Sequence, residues 1–148
     1  MYSLNDLAVM TGLTTRTLRD YIKRGILNGE KIGGDWRFSE SEFEAFASNP
    51  YVRRSLRARR SGDVLDFLAG RTTRGGRACF ILDSAVPDDA GAEIAAFFCD
   101  TVRGDGVSFT YERSGGVSRV ILLGEERRVA EIITAYYAKK MGETQNDA

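Results

Sequence analysis

The chain has 148 residues, with 21 basic and 21 acidic side chains, 43% hydrophobic and 10% aromatic residues, and no histidine. That much apolar matter buries a core and excludes disorder as the default, while the missing histidine removes the commonest general base and most metal sites. The balanced charge is unevenly spread, since eleven basic and seven acidic residues lie up to Gly62 and ten and fourteen lie beyond it, which makes the front half the one suited to a polyanion.

Ser3 precedes an apolar i, i+3, i+4 set, Leu4, Leu7 and Ala8, with Asp6 placed to return the capping bond; this predicts a short first helix. The run "TGLT" at 11–14 then supplies a glycine for a left-handed turn, an inward Leu13 and Thr14 as the next cap. In the second helix Leu18, Tyr21 and Ile22 share one side, and Arg16, Arg19, Asp20, Lys23 and Arg24 spread over the other. Gly25 ends it. Glu30–Ile32 and Trp36–Phe38 read as two short strands around Gly33 and Gly34, which suit the positive dihedrals of a primed hairpin turn. Ser39 and Glu42 form a capping box for a third helix with Phe43, Phe46 and Ala47 inward, and Asn49 and Pro50 are expected to stop it.

Residues 51–69 start with Arg53, Arg54, Arg57, Arg59 and Arg60 and end apolar, which predicts a short helical connector. It reads either as solvated or as a basic patch with sequence-blind affinity for phosphate. "GRTTRGGR" at 70–77 has the composition of a flexible linker. Beyond it come a buried strand at 78–83, a helix opened by Pro87, Asp88 and Asp89, a hairpin turning at Ser114–Gly116, and a closing helix from Glu125 with Val129, Ile132, Ile133, Tyr136 and Tyr137 inward. The expected fold is α+β: an N-terminal winged helix-turn-helix at 1–50, a basic connector and linker at 51–76, a small α/β domain of order β-α-β-β-α at 77–141, and a frayed tail at 142–148.

The front motifs carry a family likeness. "YSLNDLAVMTGLTTRTLRDYIKRGIL" at 2–27 resembles the opening of MerR-type regulators, with Ser-x-x-x-Leu-Ala, then Thr-Gly-Leu, then Arg-Thr-Leu-Arg-x-Tyr, then Gly-Ile-Leu. "KIGGDWRFSESEFEAF" at 31–46 is similar to excisionase-type relatives with a Lys-Ile-Gly-Gly-x-Trp-Arg-Phe wing. The likeness covers residues 2 to 48. It implies Thr15, Arg16 and Arg19 as groove-facing contacts, Tyr21 and Arg37 as backbone contacts and Lys31 as a wing contact. Lys23 belongs with the same basic face, and Gly33 and Gly34 let the hairpin approach phosphate closely. Trp36 either braces the wing against the third helix or stacks on a base. Glu40, Glu42 and Glu44 belong on the side turned from DNA. Asp35 and Asp20 depart from the basic pattern and should weaken a single copy's grip. The long dimerising coiled coil of many MerR-type regulators has no counterpart at 51–69.

The function expected is a sequence-specific, DNA-binding transcriptional regulator on double-stranded DNA. Alternatives are an excisionase-like directionality or architectural factor and a protein-interaction module. Pairing into a homodimer is expected through the C-terminal domain, whose sheet edges need cover. The rival use of that domain is a small-molecule effector pocket with Asp83, Tyr111, Tyr136 or Tyr137. No convergent catalytic set is visible, so no enzyme and no cofactor are expected. "LDSAVPDD" at 82–89 reads as capping chemistry before a metal loop. Cys79 and Cys99 lie in apolar runs and read as buried thiols. No apolar run nears the roughly 20 residues of a membrane span, and the amino terminus lacks a basic segment leading into an apolar one, so a soluble cytoplasmic protein is expected.

Overall fold

The computed structural model describes residues 1–70, 76–102 and 106–147, so most of the expected linker at 70–77 lies outside the described residues. The front half begins with β1 (Tyr2–Ser3) and α1 (Leu4–Thr11), followed by α2 (Thr15–Lys23), β2 (Glu30–Ile32), β3 (Asp35–Phe38) and α3 (Glu40–Ser48). Its local signals act as expected. The Ser3 and Asp6 side chains each accept the other's backbone N–H, at 3.1 and 2.8 Å, and Ser39 and Glu42 do the same at 3.1 and 2.8 Å. Gly33 and Gly34 take φ of 61° and 88° at the tip of the β2–β3 hairpin. The two-residue β1 was not foreseen: Tyr2 pairs with Phe38 and Ser3 with Arg37, giving a small antiparallel sheet of order β1-β3-β2.

The third helix stops at Asn49 and Pro50 as expected, and Pro50 at once begins the next one. It is the first residue of α4 (Pro50–Leu68), where a missing N–H costs nothing, and Asn49 caps it by accepting the Tyr51 N–H at 2.9 Å. The connector expected at 51–69 is helical, and this 19-residue helix buries Val52, Leu56 and Arg60 along one stripe.

The back half follows the expected order: β4 (Arg77–Ala85), α5 (Asp88–Thr101), β5 (Ser108–Ser114), β6 (Val117–Glu125) and α6 (Glu126–Asn146). The sheet order is β4-β6-β5 with both pairings antiparallel, so β4 and β5 flank β6 and run parallel to each other. Phe109, Tyr111, Val120 and Leu122 alternate onto the buried face, against Ile94, Phe98, Ile132 and Tyr136 of α5 and α6. Tyr137 departs from the inward expectation at 39% exposed; it lies beyond the stripe set by Val129, Ile132 and Tyr136 and rests edge-on against Tyr136. The helix also continues through residues 142–146, where a frayed tail is expected.

The buried side chains of the two halves form one cluster. α1 and α3 pack on β5 and α5, and the ring of Phe43 on α3 sits 5.8 Å from that of Tyr111 on β5. The front half therefore covers the side of the sheet where β5 is the edge strand. Cys79 and Cys99 are both thiols, half-buried and buried respectively, and burial pushes the Cys79 thiol up.

Candidate nucleic-acid interface

α2 is the second helix of the helix-turn-helix. Gly12 turns the chain with φ of 72°, and Thr14 caps α2 by accepting the Thr17 N–H at 3.1 Å. Leu18 and Tyr21 anchor the inner side, which leaves Arg16, Arg19, Lys23 and Arg24 exposed on the outer side, with Thr15 half-buried in the first turn. Asp20, the acid on this basic face, lies 3.6 Å from the Arg24 guanidinium. Arg24 also stands over the rings of Tyr21 and Tyr51, at 5.9 and 5.2 Å.

The Tyr21 ring is buried edge-on against Phe46 at 5.6 Å and Tyr51 at 6.4 Å. Its chief contacts hold α2 to α3 and α4. In the wing, Trp36 stacks on Phe38 of its own strand at 6.3 Å and carries the Lys31 ammonium 5.4 Å above its ring. Arg37 donates to the Trp36 carbonyl at 3.0 Å and lies 4.0 Å from Asp35 at the wing tip.

A polar cleft of about 510 Å³ runs between the start of α1, the face of α2 and the wing. Arg19, Lys31, Gly34 and Arg37 all line it, so four of the expected contact residues, from two separate motifs, meet on one concave surface. Arg16 and Lys23 lie on the adjoining exposed side of α2, and Gly33 at the open hairpin tip. Ser3, read from the sequence only as a helix cap, and Asn5, not singled out there, also line the cleft, and the pairing of Ser3 with Arg37 sets the start of α1 beside the wing.

On the opposite side of the head is a buried polar chain. The Tyr111 hydroxyl lies 2.9 Å from Glu40 Oε1 and 2.8 Å from Ser118 Oγ, and the Tyr2 hydroxyl donates to Glu40 Oε2. Arg113 donates to Ser118 Oγ at 2.9 Å, to the Val86 carbonyl at 2.7 Å and to Asp88, and its guanidinium lies 3.9 Å from Glu44. Burial raises the Glu40 carboxyl above the ordinary carboxylate range, although hydrogen bonds from both tyrosines pull it back. Burial, together with the Glu40 charge, likewise pushes both tyrosines up. Gly91 of α5 is tightly enclosed here: a Cβ on it would lie 2.7 Å from Arg113 Nη1 and 2.9 Å from Ser118 Oγ. Glu40 and Glu44 are thus built into the join between the halves.

The arginines of α4 divide in the same way. Arg60 is 9% exposed, pairs with Glu112 and donates to the Tyr111 carbonyl at 3.1 Å; Arg59 donates to the Gly12 carbonyl at 2.8 Å, buttressing the helix-turn-helix turn. Neither the solvated reading nor the phosphate patch suits Arg60. The four side chains expected around an effector do not converge: Asp83 pairs with Arg119 on the outer sheet face at 2.7 and 2.8 Å, Tyr111 sits in the join, Tyr137 is exposed, and Tyr136 alone lines a small cleft of about 120 Å³ with Phe97 and Ile94. Asp88 of the acidic loop is engaged by Arg113. No helix among the described residues is long and apolar enough to cross a membrane.

Residues 1–50 match the family model of a helix-turn-helix domain, an excisionase-type DNA-binding family, over 50 of the 148 residues. No curated protein and no solved structure matches the chain significantly.

Proposed function

We propose that the protein is a sequence-specific transcriptional regulator, MerR-like in its head, which acts in the cytoplasm as a homodimer on double-stranded DNA and performs no catalysis. The observation that carries this reading is the cleft in which Arg19 of α2 meets Lys31 and Arg37 of the wing, with Arg16 exposed on the neighbouring turn.

An α-helix fits the major groove of B-DNA, and its early side chains reach base edges. In that pose Thr15, Arg16 and Arg19 read bases, and a bidentate Arg16 on a guanine edge supplies discrimination at one position. The wing then lies along the neighbouring backbone. Its glycine tip brings main chain close to phosphate, and Lys31 and Arg37 neutralise charge there without reading sequence. The buried ring of Tyr21 keeps α2 at a fixed angle against Phe46 and Tyr51, and a backbone contact by its hydroxyl is part of the same proposal. Lys23, at the far end of α2, adds to the phosphate attraction.

A second reading, an excisionase-like directionality or architectural factor, draws on the excisionase-type match. Factors of that kind are usually little more than the head, whereas here a further α/β unit packs against it. Selecting bound duplexes from a random pool with the full chain tests both. An enriched inverted repeat supports the regulator and phased direct repeats support the architectural role. Retention of every sequence alike overturns the sequence-specific reading.

A further inference from the structure

Arg53, Arg57 and Arg60 recur at i, i+4 and i+7 along α4, on successive turns of one face, and all three line a small pocket of about 70 Å³. Ser48 at the end of α3 and Ser114 at the end of β5 add hydroxyls to its walls. Arg113, a member of the buried polar chain, lines it as well, which places the pocket at the join, on the side of the head turned from the cleft of α2 and the wing.

The charges of the pocket are unequally answered. Arg113 is held by Asp88 and Ser118. Glu112, the one acid among the described lining residues, pairs with Arg60 and lies 3.7 Å from Arg119. That leaves no acid for the other two arginines. Arg53 and Arg57 are exposed and enter no ion pair among the described residues, and like charges one turn apart on a helix repel each other. Arg60 has a different deficit. It is 9% exposed, and its Nε–H has no hydrogen-bond partner among the described residues, a costly state for a buried donor. Burial pushes its guanidinium down, and the charges of Arg119 and Arg57 add to this against the pull of Glu112. Two uncommitted guanidiniums, an orphaned N–H and two hydroxyls thus meet, from three elements, around a space large enough for a tetrahedral oxyanion.

Arginine forks suit phosphate oxygens, which accept two parallel N–H bonds. We propose that this pocket binds a small, doubly charged oxyanion, a phosphate group either free or carried by a compact monoester, with Arg53 and Arg57 supplying the charge and Arg60 Nε, Ser48 and Ser114 the further donors. An anion held there touches α3, α4 and β5 at once and ties the head to the sheet. The site does not depend on what the head binds.

Isothermal titration of the full chain with inorganic phosphate, in chloride buffer of constant ionic strength at neutral pH, tests it. Saturable binding at one site per chain is expected, with a rise in melting temperature that matched chloride does not give. Arg53→Ala/Arg57→Ala, at exposed positions, should weaken binding by about tenfold or more and leave the melting temperature in chloride unchanged. Arg54→Ala removes an exposed charge of the same helix outside the pocket and should leave the affinity as it is. A phosphate response no larger than that to chloride, or one that the alanine pair leaves intact, would overturn the site, and an equal loss from Arg54→Ala would reduce it to diffuse charge and overturn it too. Excess duplex DNA separates the two sources of phosphate: unchanged affinity supports a small ligand, whereas competitive loss would assign these arginines to the nucleic-acid backbone and overturn the proposal.

Discussion

Two faces of the same fifty-residue head carry ionic groups, and the groups behave differently. On the face of α2 and the wing, Arg16, Arg19, Lys23 and Lys31 stand exposed around a polar cleft. On the far face, Glu40 and Glu44 of α3 turn into the join with the sheet, where Tyr2, Tyr111 and Arg113 receive them. Composition and charge counts do not separate these populations. What separates them is whether water or protein completes their hydrogen bonds: a desolvated charge must be paired where it sits, whereas an exposed one stays available to a polyanion.

The sharpest way to break the contrast is to strand a buried charge. Glu112→Ala leaves Arg60 buried with only the Tyr111 carbonyl, and should cost about 3–5 kcal/mol of stability in urea unfolding. Arg16→Ala should behave in the opposite way, with an unchanged melting temperature but a loss of about 1–3 kcal/mol in binding to the selected site and relaxed preference at one base pair, read by titration. Equal loss on all duplexes would move Arg16 from reading bases to holding phosphate.

Acidity probes the join itself. Burial raises the Glu40 pKa in the folded chain, so its contribution to stability is fully present below the unfolded-state value and is lost as pH rises through the raised one. Asp83 runs the other way: the hydrogen bond from Arg119 lowers its pKa, and its contribution is lost on acidification. The informative quantity is therefore wild type minus Glu40→Gln, followed by urea unfolding between about pH 4 and 7. Wild type should gain relative to the variant toward the acid end, and a flat difference would remove Glu40 as the source. The smallest effect belongs to the outer sheet face, where Arg119→Ala, in an exposed pair, should change stability by about 0.2–1 kcal/mol.

Much of the head was legible because its signals are local. Ser3 with Asp6, Thr14, Ser39 with Glu42, and Gly33–Gly34 each act within four residues, and the back half's order follows from the switch between periods of 3.6 and 2. The clustering of Arg19 with Lys31 and Arg37 was legible only through the family likeness, which joined two separate motifs. Other features have no local trace. β1 is too short to show alternation. Glu40 and Tyr111 are 71 positions apart, and Arg60 and Glu112 are 52 apart. Arg60 looked like one cation among five, and Pro50, which stops α3 as expected, also opens α4, because proline both ends helices and begins them.

A single residue, Asn49, closes α3 and opens α4, accepting the Tyr51 N–H as it does so. In the proposed homodimer, with each head packed onto the sheet of its own chain, the two recognition helices would stand at one separation and one azimuth. Each base pair inserted between half-sites swings one of them by roughly 35° around the duplex axis, and a one-residue joint has no slack to follow. Such a molecule gauges spacing as strictly as it reads bases, like a caliper locked at Asn49.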